Sequence, residues 1–128
     1  MATNSTSEKT LYARLGGYDM IAAIVDEFLQ TLSTDPQMAR FSASMNLDSR
    51  KRNRQLTLDY LAAASGGPTL YLGKDMKPAH AGLGISANDW KIAMDHIERA
   101  LAKFKVPERE GKELLAIVDG IRGEIVER

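Results

Sequence analysis

Cysteine is absent from the 128 residues. That excludes disulfides, thiolate zinc sites, iron–sulfur clusters and a cysteine nucleophile, and it leaves the redox compartment open. Histidine is scarce too, with only His80 and His96, far apart in the chain, so no zinc-ligand spacing exists. Neither sign of charge is in excess. Lys plus Arg is 17 and Asp plus Glu is 17, which gives no global attraction to nucleic acid or to an anionic membrane. No apolar run is long enough to span a bilayer. Residues 1–9 are polar and lack the apolar centre of a signal peptide. They read as a flexible tail, with residues 10–128 as a single domain of a cytoplasmic protein. The Gly-rich runs lack the spacing and Lys-Ser/Thr of a phosphate-binding loop, and neither histidine has a serine nucleophile motif beside it.

What is present is helical pattern. Hydrophobic residues are 44% and charged residues 27%, a globular balance in a chain long enough for one core. Leu11, Tyr12 and Leu15 give a short apolar face, and Gly16-Gly17 permits a sharp reversal after it. Ile21, Ile24, Val25, Phe28, Leu29 and Leu32 then recur at three- and four-residue spacing on one helix face. Asp35-Pro36 caps and opens a short turn ending near Phe41. A further helix is expected from about Asp48 to Ser65, with Asn53, Leu56, Thr57, Tyr60, Leu61 and Ala64 on one face, until Gly66-Gly67-Pro68 breaks it. Ser86 with Asp89 three residues on reads as a capping box. The helix it opens carries Trp90, Ala93, Met94, Ile97, Leu101 and Phe104. Pro107 opens one last helix with a stripe of Leu114, Ile117, Val118, Ile121 and Ile125. No strand pattern is visible. The fold class is all-α, with four substantial helices and several short ones.

The stretch from Gly66 to Leu83 stands apart. A helix stops at Gly-Gly-Pro, a Gly-rich turn follows, and about one helical turn over Pro78 to Ala81 presents His80 among small and apolar residues. A neutral imidazole on a short rigid segment is what a haem iron requires of its protein. The plainer reading is a histidine at a helix end on the surface. His96, mid-helix between Asp95 and Ile97 and off the main stripe, reads as structural or solvated.

Several fragments in order decide between these readings. Leu-Tyr-x-Arg-Leu-Gly-Gly at 11–17, Asp26-Glu27-Phe28, Asp35-Pro36, Gly66-Gly67-Pro68, Tyr-x-Gly-Lys-Asp-Met at 71–76, His-x-Gly-Leu-Gly-Ile at 80–85 and Val106-Pro107-Glu108 together resemble the truncated haemoglobin family, most of all its group I. The resemblance runs from about Leu11 to Val126. It implies a two-over-two helical sandwich enclosing haem b, with His80 as proximal iron ligand. It also implies a haem slot lined by Phe28, Phe41, Tyr60, Leu61, Met76, Ile85, Trp90, Ala93 and Ile97. For the aliphatic members of that set, ordinary core packing is the competing explanation. Haem propionates need cations or hydroxyls at the pocket mouth, for which Tyr71, Lys74, Lys77 and one of Arg50, Arg52 or Arg54 are candidates; a solvated helix start is the plainer reading of the basic run.

On the distal side the chain departs from the family pattern. Many members have Phe-Tyr where Phe28-Leu29 stands here, and many have glutamine where Thr57 aligns; Asn53 aligns nearest the pocket mouth. Leu29 has no hydrogen to donate. The remaining donors to a bound ligand are the Thr57 hydroxyl and the Asn53 amide, unless Thr57 bonds a backbone carbonyl of its own helix. Gln55 points off that face. The expectation is fast O2 release, comparatively good CO binding and an iron without a second protein ligand.

The functions implied are reversible binding of O2, CO or NO, with oxygen transport as one role, or NO dioxygenase or peroxidase-like turnover with an external reductase. A helical interaction module without haem is the reading outside this class. It needs neither the lone histidine nor the Gly-rich turns around it.

Overall fold

The structure, a computed structural model, describes residues 9–128; of the tail expected over residues 1–9, all but Lys9 lies outside them. The described residues contain helices and no strand. The Lys9 carbonyl accepts a bond from Arg14 Nε at 3.2 Å.

Helix α1 spans Leu11–Leu15, begins at Thr10, whose side chain accepts from the Ala13 N–H, and closes at Gly16 with φ 115°. Helix α2 follows at once as Gly17–Thr34 and buries Ile21, Ile24 and Val25. A 3-10 turn, Ala39–Phe41, leads to α3, Leu47–Ala64. Its cap is Asn46, slightly before the expected start, because the Asn46 side chain accepts from the Ser49 N–H at 2.8 Å. Ala62 rather than Ala64 is the buried alanine of this helix. The short α4, Met76–His80, precedes α5, Ala87–Lys103, which opens with the expected Ser86–Asp89 capping box. The last stripe is divided. Helix α6 ends at Asp119, Gly120 and Ile121 form a turn, and α7 resumes as Arg122–Ile125. The single last helix expected from periodicity is therefore two, because Gly120 weakens helix continuation where the stripe alone suggests none.

Helix α2 packs against both α3 and α5, α5 packs against α6, and α1 is laid across α2 and α6. This is the two-over-two sandwich. The core joins Ile21, Ile24 and Val25 to Leu58 of α3, Ile97 and Leu101 of α5 and Leu114 of α6, with Leu11 and Leu15 closing one end. Each such aliphatic side chain stabilises the fold by about 1.5–3 kcal/mol. Arg14 of α1 ties that end to α6 through Glu110 at 2.7 Å and Glu113 at 2.8 Å. Among the described residues no helix is long and apolar enough to cross a membrane.

Helix α3 differs from its partners. Of its eighteen residues only Leu58 and Ala62 are buried, and its remaining apolar side chains are largely half-exposed. The face it presents to α2 is only partly covered by protein; the rest looks into a cavity.

Candidate functional site

That cavity measures about 410 Å³ and is mostly apolar. The volume falls within the range of small-molecule and cofactor pockets, roughly 300–1,000 Å³. Its walls come from separate elements. Helix α2 supplies Phe28 and Leu29, and the turn before α3 supplies Phe41. Helix α3 supplies Asn53, Thr57, Tyr60 and Leu61. The opposite wall is Tyr71, Met76, His80 and Ile85, with Trp90, Ala93 and Ile97 of α5 at the back. These residues, scattered over the sequence, meet at one surface.

Sequence reasoning missed part of the wall. Met38, Met45 and Leu83 lie in irregular segments, where no periodicity marks a face. Leu114, Val118, Ile121 and Ile125 were legible as a stripe, but nothing local shows that part of that stripe borders a cavity.

His80 is the last residue of α4 and lines the cavity. Its Nδ1 is 2.8 Å from the Met76 carbonyl, one helical turn back. A carbonyl only accepts, so Nδ1 carries the hydrogen, and in the neutral imidazole Nε2 then keeps its lone pair. Among the described residues no hydrogen bond engages Nε2. The imidazole is thus oriented from behind with Nε2 free, as in a metal-ligating histidine whose other ring nitrogen donates to a backbone carbonyl. No group of three or more His, Cys, Asp or Glu able to hold a metal ion exists among the described residues. A metal at His80 must therefore bring its other ligands with it, as iron in a porphyrin does. The open apolar slot and the free Nε2 fit that group.

His96 has no place in this wall. It is buried, with Nε2 donating to Asp35 Oδ2 at 2.7 Å and Nδ1 buried without a partner. It is structural rather than solvated. The bond from His96, joined by one from the Gln37 backbone, holds the Asp35 carboxyl below its ordinary value.

The segment carrying Phe41 is held from α5 by a second pair. Asp89 is fully buried and accepts from Arg40 at 2.7 Å, from Gln37 at 3.2 Å and from the Ser86 N–H at 3.0 Å. Burial alone would raise its carboxyl. The bonds from Ser86, Arg40 and Gln37 together outweigh that and hold it far below the carboxylate range. Arg40 also stacks on Phe41, 4.2 Å from the ring centroid, and donates to the Gln37 carbonyl.

The expected propionate partners separate. Arg50 lines the cavity and is anchored on the Ser42 carbonyl at 2.8 Å. Arg54 is turned instead to Asp26, at 2.5 Å, and Arg52 is exposed away from the wall. Lys74 and Lys77 are exposed and do not line the cavity, because the turn at 73–75 brings the Lys74 carbonyl, not its ammonium, to Tyr71. The Tyr71 hydroxyl donates to that carbonyl at 2.6 Å, and burial pushes its titration up, so its proton stays there. Its ring still lines the wall, edge-to-face with Tyr60 at 5.4 Å.

The distal donors narrow as well. The Thr57 hydroxyl donates to the Asn53 carbonyl at 2.8 Å, within its own helix. Gln55 bonds Tyr18 and Asp59 outside the cavity. Leu29, Thr57 and Asn53 all reach the wall, and only the Asn53 amide keeps a hydrogen free to donate.

Comparisons with known proteins agree with this geometry. The bacterial-like globin family profile matches residues 10–127. A group 1 truncated haemoglobin of Mycolicibacterium paratuberculosis is 30% identical over 116 residues, covering 91% of this chain and 83% of that one. A group 1 truncated haemoglobin of a Nostoc species is 29% identical over 119 residues, covering 93% and 98%. Among solved structures, the truncated haemoglobin of Tetrahymena pyriformis in its Fe(III) form superposes with a TM-score of 0.85 at 22% identity, covering 94% of this chain and 100% of that one. The 2/2 haemoglobin of a Synechococcus species, with covalently attached haem, reaches 0.84 at 21% identity, with the same coverages. Fold, cavity and sequence matches together place the chain: it belongs to the bacterial-like globin family, as a truncated haemoglobin resembling group 1.

Proposed function

We propose that this protein binds haem b through His80 Nε2 and holds O2, CO or NO reversibly in the cavity. Membership of the globin family supports a haem-binding, haemoglobin-type role. The observation that carries the finer reading is the free Nε2 of His80 at the wall of an apolar slot. When bound, haem supplies an iron with a coordination position open to a diatomic ligand. The chain supplies the rest. Met76 fixes the imidazole tautomer, and Phe41, Tyr60 and Trp90 give flat apolar area that excludes water. Arg50 offers the cation for a propionate.

Leu29, Thr57 and Asn53 favour binding over peroxidase-like turnover. Peroxidase-like chemistry needs a group that moves protons at the ligand. Leu29 has none, the Thr57 proton is engaged on a carbonyl, and Asn53 does not titrate. Asp89 borders the cavity, but its carboxylate is closed by Arg40 and Gln37.

Absorption spectra of the purified protein, ferric, dithionite-reduced and CO-bound, test this beside His80→Ala. The expected result is a Soret band that shifts with reduction and CO, with the ferrous spectrum altered in the variant. Stoichiometric haem uptake with spectra identical in His80→Ala would overturn His80 as ligand. No uptake, even on reconstitution, would overturn the haem function.

A further inference from the structure

The helix that carries His80 rests on α7 and has little else to hold it. Helix α4 has five residues, no buried side chain and no side-chain cap at Asp75. A helix that short is not stable by itself. The chain beyond it, residues 81–84, runs over the surface to α5.

Residues 127 and 128 lie along that stretch. Gly82 and Gly84 have φ of 82° and 68°, in the region that favours glycine, and their N–H groups converge on one carboxylate. Gly82 donates to Glu127 Oε2 at 3.0 Å and Gly84 to Oε1 at 2.7 Å. The Glu127 N–H donates to the Ile85 carbonyl at 2.8 Å, and the Arg128 Nε–H to the Gly84 carbonyl at 3.0 Å. The Leu83 N–H in turn donates to the His80 carbonyl at 3.3 Å. A continuous chain of bonds therefore runs from Glu127 through the glycine turn to the backbone of His80. Hydrogen bonds to an ionised acceptor are the strong kind. The two glycine N–H groups, Gly82 first, hold the Glu127 carboxyl below its ordinary value, as that geometry requires.

We infer that Glu127 is a positioning residue for the proximal histidine, fixing the turn after α4 and through it the place of the His80 imidazole at the cavity wall. The inference rests on the reading of His80 as iron ligand. Glu127 does not line the cavity. Its bonds reach the backbone of His80 through residues 81–84.

The test compares the full chain with Glu127→Ala and Glu127→Gln, the second keeping one acceptor oxygen should the first fold poorly. Amide hydrogen exchange at Gly82 and Gly84 comes first, on the protein as purified. About tenfold faster exchange is expected in Glu127→Ala and a smaller increase in Glu127→Gln, following the loss of charge-assisted bonds. The second readout is the iron–histidine stretching band of the ferrous protein by resonance Raman, with the rate of haem transfer to an acceptor globin. A shifted or broadened band and about tenfold faster haem loss are expected, graded Ala beyond Gln. Unchanged glycine exchange would overturn the clasp. Faster exchange with an unchanged band and unchanged haem loss would overturn the positioning role and leave a surface bond only. A wild-type protein that takes up no haem would overturn the reading of His80, while the exchange result, which needs no haem, would still report on the clasp.

Discussion

A hydroxyl has one proton, and at residue 57 its destination decides the chemistry of the distal wall. Thr57 gives it to the Asn53 carbonyl, so of Leu29, Asn53 and Thr57 the Asn53 amide is the one that keeps a hydrogen to donate. Thr57→Val should therefore change O2 dissociation by less than about twofold. Asn53→Ala should speed it by about fivefold, the equivalent of a net hydrogen bond of about 1 kcal/mol. Leu29→Tyr, which adds a phenol to the same wall, should slow it at least tenfold, within the range of hydrogen bonds to a charge-bearing acceptor. Flash photolysis and stopped-flow displacement by CO measure all three. A larger effect from Thr57→Val than from Asn53→Ala would show that the hydroxyl turns to the ligand.

Two kinds of contact set how the elements meet. At the end of α3 the backbone passes so close to its neighbours that only glycine fits. A Cβ on Gly67 would stand 2.5 Å from Tyr12 Cδ1 and 2.9 Å from the Ala62 carbonyl oxygen. The tyrosine ring can swing aside, but the carbonyl is held in its helix. Gly67→Ala should cost about 1–3 kcal/mol, as overpacking does, seen as a lower urea midpoint. An unchanged midpoint would mean that the α1–α3 junction yields freely. The Tyr12 N–H bond to the Ser65 carbonyl at 2.8 Å argues against that freedom. Across the molecule, α5 holds the segment that bears Phe41 through Asp35–His96 and Asp89–Arg40, two polar ties on one helix. The capping box was legible from Ser86 and Asp89 three residues apart. The second use of the same Asp89 carboxylate was not, because Arg40 and Gln37 reach it from a distant part of the chain.

For the whole molecule, the balance of 17 cations and 17 anions conceals an asymmetry in titration. Asp35, Asp89, Glu108, Glu113 and Glu127 are all held below the ordinary carboxylate values of 3.8 and 4.5 by hydrogen bonds and neighbouring cations. The unfolded chain then takes up protons before the folded one as pH falls. Stability from these groups is complete above the unfolded values and is lost as pH drops towards the folded ones. Stability should be flat from pH 7 to about 5 and decline below about 4.5. The exposed pairs each add little. Asp89, fully buried, should dominate, so Asp89→Asn should be less stable at pH 7 and show a shallower acid decline. Urea titrations between pH 3 and 7 measure both; an equal slope in the variant would assign the decline to other carboxylates.

Local and periodic information in the sequence determined the order of elements, the breaks at Gly16-Gly17 and Gly66-Gly67-Pro68, the cap of α5 and the short histidine-bearing α4. It also determined that residue 29 brings no donor, since leucine has none in any fold. Only the tertiary structure decided which faces border a cavity, because a stripe looks the same whether protein or open space meets it. Helix α3 is the case in point, with Asn53, Thr57 and Tyr60 facing a space bordered by five other parts of the chain. The tertiary structure also decided where shared protons go: Thr57 to Asn53, Tyr71 to Lys74, His80 Nδ1 to Met76. Such choices are competitions among acceptors within about 3 Å, and distances of that kind exist only once the chain has folded.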